Sequence, residues 1–299
     1  MASALVSKYR AAVKNRGTPA ALLHKYGLTF ILDAGLRELW SALGMRLLSL
    51  FGQHPGKPYG FFAAICSPEA ALWLRYTRVL QFLKQFQLGP DTRVLEVGSG
   101  ARGGISWPLK EIGVRVCLVE GSPELLSDFR CKNAWRVSAD GCRLPFATQS
   151  FDVVVSLDTL EHLPVSLRPV FMEELKRVAK QGVILTCPVQ SADGQFRGGD
   201  TDQQLITMYR KKQRPVPGWL EEHLRFGHPT PEEIKASFPG GRLAGYENCP
   251  KWMRVARLHH LPFVWPLSGL FYLMRVANSD ENPPYRRGFL IWQKTLKTA

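Results

Sequence analysis

The sequence predicts an α/β protein, a doubly wound and mostly parallel seven-stranded sheet with a helical N-terminal extension and a C-terminal insertion. Two observations carry this. From residue 93 onward, short β-branched runs alternate with helical stretches, as expected of a parallel sheet covered on both faces. A glycine-rich loop, L-E-V-G-S-G-A-R-G-G (95–104), follows the first of these runs and leads into a helical stretch.

The elements follow in chain order. The first 32 residues carry five basic side chains (Lys8, Arg10, Lys14, Arg16, Lys25) and no acid. Leu5, Val6, Tyr9 and Val13 share one helical face. A surface helix of the fold, a membrane-surface helix and a transit peptide all fit that pattern. A longer amphipathic pattern runs to about residue 52, and H-P-G-K-P (54–58) breaks it. Residues 1–57 therefore read as a basic amphipathic extension. A helix is expected over 68–87, with Ser67 as N-cap and Pro68 in the first turn. Strands are expected at 93–97, 114–120, 135–140, 151–157 and 182–188, with helices near 103–112, 123–133 and 166–180 between them. Beyond 190, a helix is expected over 202–212 and another from Thr230-Pro231-Glu232-Glu233, with strands at 242–248 and 288–294.

Composition bounds the setting. The 299 residues carry a net charge of +14, most of it outside the nearly neutral middle of the chain. A basic surface suits nucleic acid, anionic membrane or acidic ligands. The six cysteines form no C-x-x-C pair, so a zinc framework or disulfide scaffold is not expected and a reducing, cytoplasmic setting is. No secretory signal and no spanning segment of about 18–20 apolar residues is visible.

The glycine loop has acidic partners. Gly98, Gly100 and Gly103 form G-x-G-x-x-G, which permits a tight turn and close approach of a ligand to the backbone. Glu120 closes the next strand, 20 residues beyond Gly100, where a carboxylate can accept both hydroxyls of a ribose. Asp140 closes the third. These features predict a nucleoside-containing cofactor, common to oxidoreductases that use NAD(P) and to other classes. No Tyr-x-x-x-Lys follows to support the oxidoreductase alternative.

Glu96 within the loop signature, Asp140 in A-D-G-C-R-L-P-F and F-D-V-V-V-S-L-D-T-L-E-H-L after it resemble the class I S-adenosylmethionine-dependent methyltransferases, specifically their type 11-like small-molecule group. The resemblance covers about residues 90–190 strongly and implies a Rossmann-like fold, methyl transfer and S-adenosyl-L-methionine as cofactor. It implies that Gly98, Ser99 and Gly100 shape the loop under the methionine part, with Glu96 helping to hold its ammonium group. Glu120, beside Gly121, would bind the ribose. Asp140, with Gly141, would meet the adenine, and Leu157 would lie along the cofactor. Residues 58–299 would then form one methyltransferase domain, with substrate-side and membrane-facing insertions at 191–240 and 250–285. A non-catalytic relative of this fold, held at a membrane, is a third reading.

Methyl transfer needs a base only when the acceptor is protonated, as a hydroxyl is. His162 is the candidate, since an imidazole titrates near neutral pH. Asp158, Glu161 and His162 are spaced to share one helical face. D-x-x-E-H is similar to the E-x-x-E-H segment associated with a divalent cation in quinone-precursor O-methyltransferases, but no metal ligand is assigned here. Asp158 and Glu161 also suit a capping box. W-L-E-E-H-L-R-F-G-H-P-T (219–230) reads as a surface loop and supplies His223 as a second catalytic candidate. The acceptor is expected to be small or lipid-like and methylated on oxygen. Nucleic acid is not expected: S-L-D-T stands after strand four, where base methylation would need N-P-P-Y, and the N-P-P-Y at 282–285 lies elsewhere. Leu258 to Met274 holds no charged residue and is flanked by Arg254, Arg257 and Arg275. A buried helix and an interfacial segment with Trp265, Phe271 and Tyr272 at the headgroups both fit it.

Overall fold

The computed structural model describes residues 70–294 except 87, 101–103, 110–112, 124, 126–133, 262–263, 265–266, 269–270, 272–273 and 275–281; ahead of residue 70 it describes Leu32 and Leu36 alone. The N-terminal extension apart from Leu32 and Leu36, the Ser67 cap, Arg102, Gly103, most of the 123–133 helix, Trp265, Tyr272 and Arg275 lie outside these residues.

Seven strands form one sheet: β1 Arg93–Val97, β2 Arg115–Glu120, β3 Ala134–Ser138, β4 Phe151–Leu157, β5 Ala179–Pro188, β6 Arg242–Asn248 and β7 Tyr285–Gln293, in the order β3-β2-β1-β4-β5-β7-β6. The first five pair in parallel, and β7 runs antiparallel to both β5 and β6. This is the expected doubly wound, mostly parallel architecture. Helix α1 (Ala70–Leu83) covers one face of the sheet. A short turn, α2 (Ser106–Leu109), packs beside it. Helix α3 (Arg168–Val178) covers the other face.

The strands are apolar because both faces are buried. Val153, Val154 and Val155 of β4 have no exposed surface, and burial of each such side chain contributes about 1.5–3 kcal/mol. Alternation sends neighbours to opposite faces. Leu95 and Val97 pack with Phe171 and Leu175 of α3, while Val94 packs with Tyr76 and Val79 of α1. Glu96 has the parity of Val94, so the strand delivers its carboxylate to the α1 face.

Four further helices build a layer at the carboxyl ends of β4 and β5 and the amino end of β7: α4 (Gly198–Lys211), α5 (Gly218–Phe226), α6 (Pro231–Ser237) and α7 (Cys249–His259). Leu205, Ile206, Leu220 and Ala256 join α4, α5 and α7 in a small core of their own. Helix α6 starts as expected: Thr230 Oγ1 accepts from Glu233 N at 3.1 Å, and Thr230 N donates back to Glu233 Oε2 at 3.4 Å.

One expectation is corrected. Residues 218–226 are a helix, not a surface loop, because Leu220 and His223 give it a buried face one turn wide. Within 258–274, Leu261, Leu267 and Met274 are exposed at 41%, 62% and 60%. No helix among the described residues is long and apolar enough to cross a membrane.

Candidate active site

The glycine loop leaves β1 with Gly98 at φ +80° and Gly100 at φ +63°, backbone conformations that favour glycine. At Gly98 a side chain would also collide with Thr159, whose Oγ1 lies 2.0 Å from the Cβ position. The loop is tied to β2 by Gly98 N and Ser99 N, which donate to Val119 O at 2.9 and 3.1 Å. Gly104 was not singled out by the sequence pattern, yet it has φ +46° and abuts the Glu96 carboxylate.

Glu96 is fully buried. Its Oε1 accepts from the Tyr76 hydroxyl at 2.7 Å and its Oε2 from Ile105 N at 2.6 Å. It therefore links α1 to the far end of the glycine loop. Burial pushes its carboxyl up to about 7, against the two hydrogen bonds.

Glu120 ends β2 half-buried, its Oε2 accepting from Gly100 N at 2.9 Å and its Oε1 from Ser122 N at 3.3 Å. Gly121 follows it at the surface. Asp140 stands two residues past the end of β3, exposed, and caps its own turn by accepting from Cys142 N at 2.9 Å. Gly141 packs so closely on the Phe171 ring that a Cβ would stand 2.6 Å from it. Leu157 is buried at the end of β4. Glu120 and Asp140, at and just past the ends of β2 and β3, thus stand at the carboxyl edge of the sheet, where open α/β sheets bind ligands.

Just past β4, Asp158 takes φ +52° and does not cap a helix. The following element is one 3-10 turn, Leu160–His162, whose N-cap Thr159 makes no side-chain cap bond. The expected capping box is therefore absent. Arg75 Nη2 binds Asp158 at 2.9 Å and Arg287 binds its other oxygen. These guanidinium groups overcome the cost of burial and hold the Asp158 carboxyl below its usual range.

The ion pairs continue inward. Arg287 Nε donates to Glu247 Oε2 at 2.9 Å, and Arg286 reaches the same carboxylate at 3.4 Å. Arg286 Nη2 then donates to Asp202 Oδ1 at 3.0 Å and lies over the Trp252 ring at 4.1 Å. Asp202 also accepts from His223 Nδ1 at 2.6 Å and His228 Nε2 at 2.9 Å. Although burial opposes it, Arg286 and the two imidazoles hold Asp202 well below the carboxylate range.

The chain of contacts ends at two facing imidazoles. His223 Nε2 stands 3.3 Å from His162 Nε2, and His162 Nδ1 meets Glu222 Oε2 at 2.7 Å. His223 is 3% exposed, and burial lowers its pKa. Glu161 is 1% exposed, and neither carboxylate oxygen has a hydrogen-bond partner. The two catalytic candidates, 61 residues apart, are thus brought together. Asp158 is not brought with them. Its side chain turns to the arginines, so Asp158, Glu161 and His162 do not share a face. Asp202, Glu247, Arg75, Arg286 and Arg287 were missed. Their signal was the charge placed inside strands and apolar helices, as at Arg286-Arg287 within β7.

Residues 95–187 match the model of a family described as a methyltransferase domain. The chain carries a methyltransferase domain over these residues. Over 212 residues it is 26% identical to an uncharacterized methyltransferase of Mycolicibacterium paratuberculosis, covering 69% of this chain and 78% of that protein. Among solved structures it is similar to the magnesium protoporphyrin IX methyltransferase of Synechocystis (TM-score 0.49, 14% identity, 88% of this chain and 99% of that one). It is also similar to the Haemonchus contortus phosphoethanolamine N-methyltransferase 2 (TM-score 0.45, 18% identity, 73% of this chain), and it spans only 52% of that enzyme's chain. The methyltransferase cofactor is S-adenosyl-L-methionine, and the loop has the features to receive it. Ser99 Oγ is buried without a partner, and space is open where a Cβ would stand at Gly100.

Proposed function

We propose that this methyltransferase transfers its methyl group to an oxygen of a small or lipid-like acceptor, activated at the His162–His223 pair. The observation that carries the reading is the pair itself, with each Nδ1 fixed by a carboxylate. A carboxylate accepts, so each Nδ1 carries the proton and each Nε2 presents its electron pair. An acceptor hydroxyl entering here meets those electron pairs as its oxygen becomes nucleophilic. Bound S-adenosyl-L-methionine supplies an electrophilic methyl carbon on a sulfonium. As the acceptor oxygen takes the methyl group from sulfur, its proton would pass to a bare Nε2 of the pair.

For the cofactor we assign Gly98, Ser99 and Gly100 to the methionine part, Glu120 and Gly121 to the ribose, and Asp140 and Gly141 to the adenine. Leu157 lies along the cofactor, and Glu96 shapes the loop from beneath. Positioning of the two reactants alone can supply about 7–11 kcal/mol of the barrier. The test is turnover of labelled S-adenosylmethionine with extracted small molecules and lipids. His162→Ala should cut transfer by about 10²–10⁴-fold while S-adenosylhomocysteine still binds. Unchanged transfer would remove His162 from the reaction.

A membrane-surface acceptor is favoured by one further observation. Leu261, Leu267 and Met274 are exposed just beyond Arg254 and Arg257 of α7. Apolar side chains beside cations suit an anionic lipid interface.

A further inference from the structure

We propose that Glu161, His162 and His223 form a site for a single borderline first-row divalent cation, of the zinc or cobalt kind. Three candidate ligand atoms converge here, one from each side chain. His162 Nδ1 and His223 Nδ1 face the carboxylates of Glu222 and Asp202 at 2.7 and 2.6 Å, which leaves both Nε2 atoms bare and 3.3 Å apart. Two bare lone pairs at that distance repel unless a cation or a shared proton lies between them. Glu161 Oε1 stands 3.9 Å from His223 Nε2, and neither Glu161 oxygen has a hydrogen-bond partner although the side chain is 1% exposed. An unpaired buried carboxyl is costly to keep.

The distances suit a metal. Metal–nitrogen bonds of about 2.0–2.1 Å place two imidazole nitrogens on one ion about 3.0–3.4 Å apart. All three ligand atoms lie within 4.8 Å of one another, with the two nitrogens already at ligand spacing and the Glu161 carboxylate left to swing inward. Each histidine is also backed by a carboxylate on its other nitrogen, the arrangement that orients metal-binding imidazoles. Two nitrogens and one oxygen favour a borderline ion over magnesium, which prefers oxygen. The neighbouring group Asp202, His223 and His228 is a weaker candidate, because Asp202 is already claimed by Arg286 at 3.0 Å. Asp158 is likewise held by Arg75 and Arg287, so the cluster differs from the D-x-x-E-H set of the sequence.

The site deepens the proposed function, since it rests on the pair facing the acceptor. A cation held there would bind the acceptor oxygen in an open position and take over from the imidazoles the lowering of the hydroxyl's proton affinity. The binding test does not depend on activity. Chelator-treated full-length protein is titrated with Co²⁺ and followed by its visible absorption. One equivalent should bind and give imidazole-ligand bands, Zn²⁺ should displace it, and Mg²⁺ should not. Glu161→Gln and His162→Ala should abolish the bands, Glu222→Gln should weaken binding about 10–100-fold, and His259→Ala should leave it unchanged. Circular dichroism and S-adenosylhomocysteine binding confirm that each variant is folded. No saturable cobalt spectrum, or one that survives Glu161→Gln, overturns the site and leaves a shared proton between the histidines. Cobalt binding without any effect of His162→Ala on turnover would keep the metal site and sink the acceptor reading. Turnover lost in His162→Ala without cobalt binding would do the reverse.

Discussion

His162 and His223 meet through their Nε2 atoms at 3.3 Å, with their rings inclined by 57°. His162 arrives on the turn after β4, whereas His223 arrives on α5, and α4 supplies the Asp202 that holds it. Neither histidine could be placed by its own segment. The contact is made by the layer of helices laid over the sheet edge.

Asp202 is the joint of that layer. It is completely buried and balances Arg286, His223 and His228 at once. Asp202→Asn leaves Arg286 short of a counter-charge and should lower stability by about 3–5 kcal/mol. Urea unfolding monitored by fluorescence measures this. Methyl transfer should fall as well, because the His223 ring loses the acceptor that fixes its tautomer.

Glu120→Ala should weaken S-adenosylhomocysteine binding at least tenfold, or about 1.4 kcal/mol, with a small change in melting temperature. Its carboxylate is half-buried and its two backbone partners can turn to water. Calorimetry against the wild type decides, and equal affinities would take Glu120 out of the cofactor site.

Stability should depend on pH through Glu96. Burial raises its carboxyl to about 7 from an ordinary value of 4.5, so the folded state holds a proton that the unfolded chain releases. The contribution is fully present below about 4.5 and is lost as pH rises towards about 7. Glu96→Gln, which can still bond Tyr76 and Ile105, should flatten that part of the curve. Denaturant unfolding of both proteins across the window shows whether it does.

Recruitment to vesicles should follow charge. Flotation with anionic liposomes should carry the wild type up and leave the Arg254→Glu, Arg257→Glu double variant below. Added salt should weaken the association. Equal flotation of the two proteins would remove α7 from any lipid contact.

Much of the sheet was legible because most of its strands are apolar, β-branched runs separated by helical stretches. β1, β4 and β6 run over the same residues as expected, and Thr230 caps α6 as its sequence suggests. The placement of two acids was legible for the same reason: Glu120 ends β2, and Asp140 stands two residues past β3. Local pattern could not show that Asp158 serves Arg75 and Arg287 rather than a helix, since those partners lie 83 residues before and 129 residues after it. Helix α5 was obscured by its polar run, E-E-H, where a single buried face rests on Leu220 and His223. Long-range charge balance decided both cases.

The strand carrying Arg286 and Arg287 has an order-of-assembly consequence. β7 sits between β5 and β6, so β6 cannot join the sheet before it. Until β7 inserts, Asp158, Glu247 and Asp202 lack these arginine counter-ions. A partly folded chain can therefore hold the glycine loop and its acids in place while the histidine pair stays unformed. Competence to bind cofactor would then precede competence to react, and the last strand along the described chain acts as the checkpoint between them.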